Sequence, residues 1–514
     1  MELKRRQTAD APNWATWRRD VSGMLVFTFV FLLGSLIVIL IWNFEELQGV
    51  LRLLPARESF KDAGDATSVG KPTIEEEVAA GAGIVGAEAL KDKKKQKPEN
   101  DGIVGGGGGG EANLVELEPL VVDLTILTKA ADIGAVCLDG TPPGYHLHKG
   151  SGANANNWVV FLEEGAWCHS EEDCKQRSKT NLGSSKFMKP QKFDGILSNS
   201  EQVNPDFFNW NRVFVRYCDG ASFSGNSSLP ADEKGNWLQL KGPYYRGESI
   251  WEAIIAELLS NGMVKADKAL LGGCSAGGLS SILHCDKFKA ALPGAKVVKC
   301  MSDAGFFVDM PTYKGENKFG DYFRDIVNLQ RVGDGLLKEC TKERDSADCF
   351  FPQYLLPHIK TPLFIVNGGY DWWQVNPLIS LLSHGLATPP MDTSGEWNAC
   401  KNDAGSCTDE QFSTIQDYRT KLLEALKPVE DSQKDGMFID GCFHHCQTSR
   451  TVFWNGPQAP RINNKTASEA LGDWYFERLT ATDAAIDCRY PCNPACGFFN
   501  RSPGKPSFRK WSRT

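Results

Sequence analysis

Residues 268–278 read Lys-Ala-Leu-Leu-Gly-Gly-Cys-Ser-Ala-Gly-Gly, an apolar run that breaks into glycines around one serine. The run predicts a short buried strand, and the apolar spacing from Leu279 onward predicts a helix. Between them Gly273-Cys274-Ser275-Ala276-Gly277 matches G-x-S-x-G. A serine on a strand-to-helix turn occupies strained backbone, so its close neighbours must be small, and Gly272, Gly273, Gly277 and Gly278 meet that need. The turn also sets Ser275 at a helix N-terminus, where free N–H groups and the helix dipole favour developing negative charge. Ser275 is therefore the candidate nucleophile.

Outward from this turn, residues 157–162, 213–217, 269–271 and 363–366 read as buried strands, and residues 249–259 carry apolar side chains at helical spacing. Strands alternating with helices predict an α/β class, specifically an α/β-hydrolase-like fold with a largely parallel central sheet and flanking helices. Such sheets present catalytic groups at strand C-terminal ends in the order Ser, Asp or Glu, His. Asp371 follows the strand at 363–366 and a glycine turn, and His444 and His445 follow a later strand-like segment. Asp303 and Asp309 are rival acids. Only one of the adjacent histidines can face the serine, which leaves the other structural or exposed. An oxyanion hole is expected from the N–H groups of Gly165, Ala166 and Trp167, after the first strand, and of Ala276, after the nucleophile. The chain holds no H-x-x-x-H or H-E-x-x-H spacing, so no metal site is expected.

Composition bounds the surroundings. With 41% hydrophobic and 10% aromatic residues among 514, the chain can fill a sizeable core, which excludes wholesale disorder. A formal net charge of −8 argues against a chain-wide nucleic-acid footprint. All sixteen cysteines lie between Cys137 and Cys496, which predicts a disulfide-stabilised region in an oxidising compartment. Close spacing suggests the pairs Cys168–Cys174, Cys340–Cys349, Cys400–Cys407 and Cys492–Cys496, although spacing does not fix connectivity. Cys274, beside the nucleophile, is read as structural rather than as a catalytic thiol.

Residues 22–42 carry no charge and at about 1.5 Å per residue span roughly 30 Å, the hydrocarbon thickness of a bilayer. The run exceeds the about 7–15 apolar residues of a cleavable signal, so a single transmembrane signal-anchor is expected. Lys4, Arg5, Arg6, Arg18 and Arg19 precede it and Glu45 and Glu46 follow, which orients it as a type II span with the rest of the chain lumenal or extracellular. The expected organisation is a cytoplasmic tail (1–21), the anchor (22–42), a flexible stem (43–113) with a lysine cluster and the run Gly105–Gly110, a catalytic domain (114–500) and a basic tail (501–514). Asn226, Asn464 and Asn500 open N-x-S/T glycosylation sequons beyond the anchor.

Seven ordered blocks carry a resemblance: AVCLDGTPPGYHLHKG, WNRVFVRYCDGASFSG, YYRGESIWEAIIAELL, LLGGCSAGGLSSILHCDKF, SDAGFFVD, NGGYDWWQVNP and CFHHCQT. The region resembles the plant pectin acetylesterases, of the carbohydrate esterase group that also includes Notum. The resemblance implies a triad of Ser275, Asp371 and His445, with His445 preferred because it directly precedes Cys446-Gln447-Thr448. It also implies hydrolysis of acetyl esters on galacturonan, an acetylated polysaccharide as partner, and no cofactor. Two departures stand out. The family's L-E-G-G-G-W-C is here Leu162-Glu163-Glu164-Gly165-Ala166-Trp167-Cys168, and an anchor replaces the usual cleavable signal, which widens the expected location to Golgi, plasma membrane or cell wall. Two further readings stay open: a Notum-like lipid–protein carboxylesterase, and a glycan-binding homologue whose catalysis Glu164 impairs.

Overall fold

A computed structural model describes residues 120–227, 242–379, 395, 397, 399–400, 404–478 and 484–498. The expected tail, anchor and stem, the basic tail 501–514 and Asn500 lie outside the described residues. Among the described residues, no helix is long and apolar enough to cross a membrane.

Eleven strands are present among the described residues: β1 (Leu120–Val122), β2 (Thr125–Ile126), β3 (Gly144–His148), β4 (Trp158–Leu162), β5 (Gln191–Phe193) and β6 (Asn211–Val215), followed by β7 (Lys268–Gly273), β8 (Val297–Asp303), β9 (Leu363–Gly368), β10 (Gly436–Asp440) and β11 (Ala484–Ile486). Nine form one sheet in the order β11-β10-β9-β8-β7-β4-β6-β3-β2, and β1 pairs with β5 separately. The sheet is mixed. It is parallel from β11 through β6, and only β6–β3 and β3–β2 are antiparallel. The four strands read from sequence correspond to β4, β6, β7 and β9, and the helix at 249–259 to Gly247–Ser260.

Side-chain alternation divides each central strand between two cores. Trp158, Val160 and Leu162 of β4 join one cluster with Val213, Leu271 and Ile439, while Val159 and Phe161 join the other with Phe214, Leu270 and Phe438. A strand buried on both faces needs apolar residues at successive positions, which is why WVVFL and LFIV have no polar alternation. Helix Gly247–Ser260 adds Ile250, Trp251, Ile254 and Leu258 to the first cluster, from positions that share one helical face.

Eight disulfides consume all sixteen cysteines. Three local pairs match the spacing: Cys168–Cys174, Cys340–Cys349 and Cys400–Cys407. The fourth does not: Cys492 bonds Cys488 and Cys496 bonds Cys442. The cause is long-range, because β11 pairs in parallel with β10 and so brings the chain after it to the end of β10, where Cys442 lies. Cys137–Cys218 closes 81 residues, a loop whose closure removes about 4.5 kcal/mol of unfolded-chain entropy.

Candidate active site

The functional candidates gather where the parallel strands end. β7 runs into Ser275, β4 into Gly165–Trp167, β9 into Asp371 and β10 into the loop bearing His444 and His445. This is the side on which parallel α/β sheets bind ligands.

Ser275 adopts φ 55°, ψ −122°, a backbone state that disfavours any L-residue, and helix Ala276–Leu283 starts directly after it. Its amide donates to the Asp303 carbonyl at 2.8 Å. The surrounding glycines are required by contact. A Cβ on Gly277 would strike the Leu162 carbonyl oxygen at the end of β4, and one on Gly273 would strike the Gly277 carbonyl oxygen. The strain is thus held by close packing between the elbow and the neighbouring strand.

His445 and Asp371 meet. The imidazole Nδ1 lies 2.8 and 2.9 Å from the two carboxylate oxygens of Asp371. Asp371 is buried and also accepts from the amides of Trp373 and Gln374, so it caps helix Trp372–Ile379 while it holds the imidazole. With Nδ1–H donating to the carboxylate, Nε2 is left as an acceptor. A ring nitrogen of His445 lies within 4.8 Å of the sulfurs of Cys274 and Cys446, which places the imidazole beside the residue that precedes Ser275. Trp373 stacks on His445 at 5.9 Å and Trp372 meets it edge-on at 5.7 Å.

The segment Gly165–Cys168 is tied down by its carbonyls. Tyr217 Oη donates to Ala166 at 2.8 Å, Tyr322 Oη to Trp167 at 3.1 Å, and Gln330 Nε2 to Cys168 at 2.9 Å. Ala166 holds φ 51°, a left-handed value that favours glycine and that the expected glycine-rich version would reach without strain. Among the described residues, no protein group accepts from the backbone N–H of Ala166, Trp167 or Ala276. Three amides are therefore left open on the segments that end β4 and follow Ser275. Glu163 is buried and paired with Arg216 at 2.8 Å; burial pushes its carboxyl up to about 7, against the pull of Arg216 and the Tyr217 amide. Glu164 is partly exposed.

The rival residues have other partners. Asp309 accepts from Tyr354 Oη at 3.0 Å. Asp303 accepts from the amides of Gln447 and Thr448 and from Thr448 Oγ1, and burial pushes its carboxyl up to about 6 even against those donors. His444 is buried with Nε2 2.9 Å from Asp440; burial opposes its charge, but the nearby carboxylates of Asp440, Asp303 and Asp371 outweigh it and raise its pKa. Three clusters of Asp, Cys or His have ligand-like spacing, but the cysteines of each are bonded in disulfides. Of the glycosylation candidates, Asn464 is exposed, whereas Asn226 is partly buried with its amide on the Gln330 carbonyl.

Ser222 escaped the sequence reading. Its Oγ accepts from Trp167 Nε1 at 2.7 Å and donates to the Ala276 carbonyl at 2.8 Å, so it joins the two halves of the open-amide site. Ser222 and Phe223 have φ 54° and 58°, and the Asp219 carboxylate holds this turn through the amides of Ala221 and Phe223. The only sequence signal is Asp-Gly-Ala-Ser-Phe-Ser-Gly, a polar turn after a strand.

Behind that turn, His284 stacks on Trp251 at 4.4 Å with Nε2 3.1 Å from the Phe223 carbonyl. Burial holds its pKa well below the ordinary histidine value. Below a pH of about 6.5 the unfolded chain binds a proton that the native state excludes, so this residue makes stability fall as pH falls. His284→Phe keeps the stacking and loses the hydrogen bond. Its melting temperature is expected to lie below wild type at a pH of about 8, with the gap narrowing toward a pH of about 5. A gap that is constant or widens on acidification refutes the buried neutral imidazole.

The sequence pattern of the family described as Pectinacetylesterase matches residues 115–497. Pectin acetylesterase 5 of Arabidopsis thaliana is 44% identical over 377 residues, covering 73% of this chain and 85% of that protein. Palmitoleoyl-protein carboxylesterase notum1 of Xenopus laevis is 32% identical over 396 residues, covering 70% of this chain and 72% of that protein. Among solved structures, the Wnt deacylase Notum from Drosophila superposes with a TM-score of 0.59 at 23% identity, over 73% of this chain and 99% of that one, and so shares the α/β-hydrolase fold. With a strained serine elbow, a carboxylate-held histidine and a match of this extent, the chain belongs to the pectinacetylesterase family and is a carboxylic ester hydrolase.

Proposed function

We propose that the protein is a serine esterase that removes acetyl groups from acetylated galacturonan, the polysaccharide of pectin, through Ser275, His445 and Asp371. The observation that carries this reading is the bidentate approach of Asp371 to His445 Nδ1 beside the strained Ser275 turn. His445 Nε2 takes the Ser275 proton as Oγ attacks the acetyl carbonyl, and the tetrahedral oxyanion forms against the amides of Ala276, Ala166 and Trp167. The intermediate collapses as imidazolium returns the proton to the departing sugar hydroxyl. Water then repeats the sequence on the acetyl-serine and releases acetate. Asp371 keeps the proton on Nδ1 and stabilises the imidazolium.

The surroundings favour a small acyl group. Trp167, Phe307 and Trp373 pack edge-to-face at 4.9–5.6 Å behind His445, filling that wall with rings. Trp372, 39% exposed beside the imidazole, offers a rigid apolar surface of the kind that suits a pyranose ring. The eight disulfides suit an oxidising compartment. The test compares acetate release from acetylated pectin and xylan with hydrolysis of nitrophenyl acetate, octanoate and palmitate. Activity should be highest on acetate and pectin. A preference for palmitate sinks the acetyl assignment and favours the lipid–protein carboxylesterase, and a preference for xylan sinks the galacturonan assignment.

A further inference from the structure

Ser275 follows β7 and His445 follows β10, with β9 and β8 between them in the sheet. At about 4.8 Å per strand these origins are roughly 14 Å apart, so the histidine loop must reach back across two strands to meet the nucleophile. Asp371 holds the imidazole from the β9 side. The other side of that span is closed by two ties whose placement in the sequence is specific. Cys274 immediately precedes Ser275, Cys446 immediately follows His445, and the two are bonded to each other, both buried, with Cα atoms 5.7 Å apart. The second tie is Asp303 at the end of β8. Its carbonyl accepts the Ser275 amide at 2.8 Å, while one carboxylate oxygen accepts from the Gln447 amide at 2.8 Å, the Thr448 amide at 2.7 Å and Thr448 Oγ1 at 2.8 Å. One tie runs through residues adjacent to the reacting pair, and the other bonds the nucleophile's own amide to the segment just past the histidine.

We propose that the Cys274–Cys446 disulfide and Asp303 form a positioning clamp that sets the separation of Ser275 and His445, contributing to turnover beyond any contribution to folding. This rests on the serine-triad reading. None of the clamp groups exchanges a proton or electron with substrate; each acts by fixing two loops that the sheet leaves apart. Loss of either tie lets the imidazole drift from the serine hydroxyl, and a displacement of about 1 Å at reacting groups costs roughly a hundredfold in rate.

The test uses the full chain produced with its disulfides formed. Cys274→Ala/Cys446→Ala is expected to lower kcat on nitrophenyl acetate by about a hundredfold, with KM changed less than about twofold. The rate of Ser275 labelling by a fluorophosphonate should fall in parallel. Cys340→Ala/Cys349→Ala, which removes a disulfide flanking no triad residue, should lower the melting temperature and keep kcat. Thr448→Val removes one donor to Asp303 without touching a cysteine; it should lower kcat, and Thr448→Ser should restore it, so the proposal stays testable if the cysteine variant does not fold. Equal kcat and labelling rates in wild type and the folded cysteine variant overturn the clamp, as does a Thr448→Val enzyme at wild-type kcat. If wild-type protein itself is neither labelled at Ser275 nor active on any ester, the triad reading fails first.

Discussion

Ser275→Ala is expected to lower kcat on an acetate ester by about 10⁴-fold or more, while KM stays near the wild-type value. The size follows from the chemistry of two steps. Without Oγ no acyl-enzyme forms, and His445 is left to activate water from a position built for a serine hydroxyl. The open amides of Ala166, Trp167 and Ala276 still polarise a carbonyl, so a small residual rate above that of free water remains. Alanine removes one oxygen from a turn whose conformation is held by Gly273 and Gly277, so the fold should be kept. Steady-state kinetics beside active-site labelling reads this directly. A Ser275→Ala enzyme that retains a tenth of wild-type turnover rules out the serine as nucleophile.

Asp371→Asn is expected to cost about 10³–10⁴-fold in kcat at neutral pH. Asp371 Oδ1 accepts from the Trp373 and Gln374 amides and lies 2.9 Å from His445 Nδ1, while Oδ2 faces that nitrogen alone at 2.8 Å. Asparagine still accepts from the helix amides with its carbonyl oxygen, and the cap survives. Its amide nitrogen then takes the Oδ2 place, 2.8 Å from His445 Nδ1, as a donor, which favours the tautomer with the proton on Nε2. The base that Ser275 needs disappears while the imidazole stays in place. Asp371→Ala removes both roles and should also destabilise helix Trp372–Ile379 by about 1 kcal/mol. Near-wild-type turnover in Asp371→Asn would exclude Asp371 as the orienting acid and reopen the search for it.

The strained turn at Ser275 and the pairing of Asp371 with His445 were legible because each rests on local chemistry or on a recognisable block. Glycines flank a serine that needs small neighbours, and Asp371 follows a strand and a glycine turn. The central strands were legible for a related reason, since burial on both faces leaves an unbroken apolar run such as WVVFL. What remained hidden depends on pairings that no window of sequence contains. Cys496 reaches Cys442 only because β11 aligns with β10, and Cys274 reaches Cys446 across 172 residues. Asp303 reads as an acid from its type and place, yet its carboxylate is occupied by Gln447 and Thr448. The strained backbone of Ser222 and Phe223 leaves no mark either, because neither residue is a glycine or asparagine.

The tied-back carbonyls of Ala166, Trp167 and Cys168 bear on how the barrier to hydrolysis is lowered. Water around an ester must reorient its dipoles as charge builds on the carbonyl oxygen, and that reorientation is part of the activation free energy in solution. Here each peptide plane is fixed from its oxygen end by Tyr217, Tyr322 or Gln330. The Ala166 carbonyl and the Trp167 N–H belong to one such plane and point in opposite directions. Under the proposed mechanism the Trp167 N–H would therefore be held in the orientation that the tetrahedral oxyanion needs before any ester arrives, and charge would build with little rearrangement of its medium.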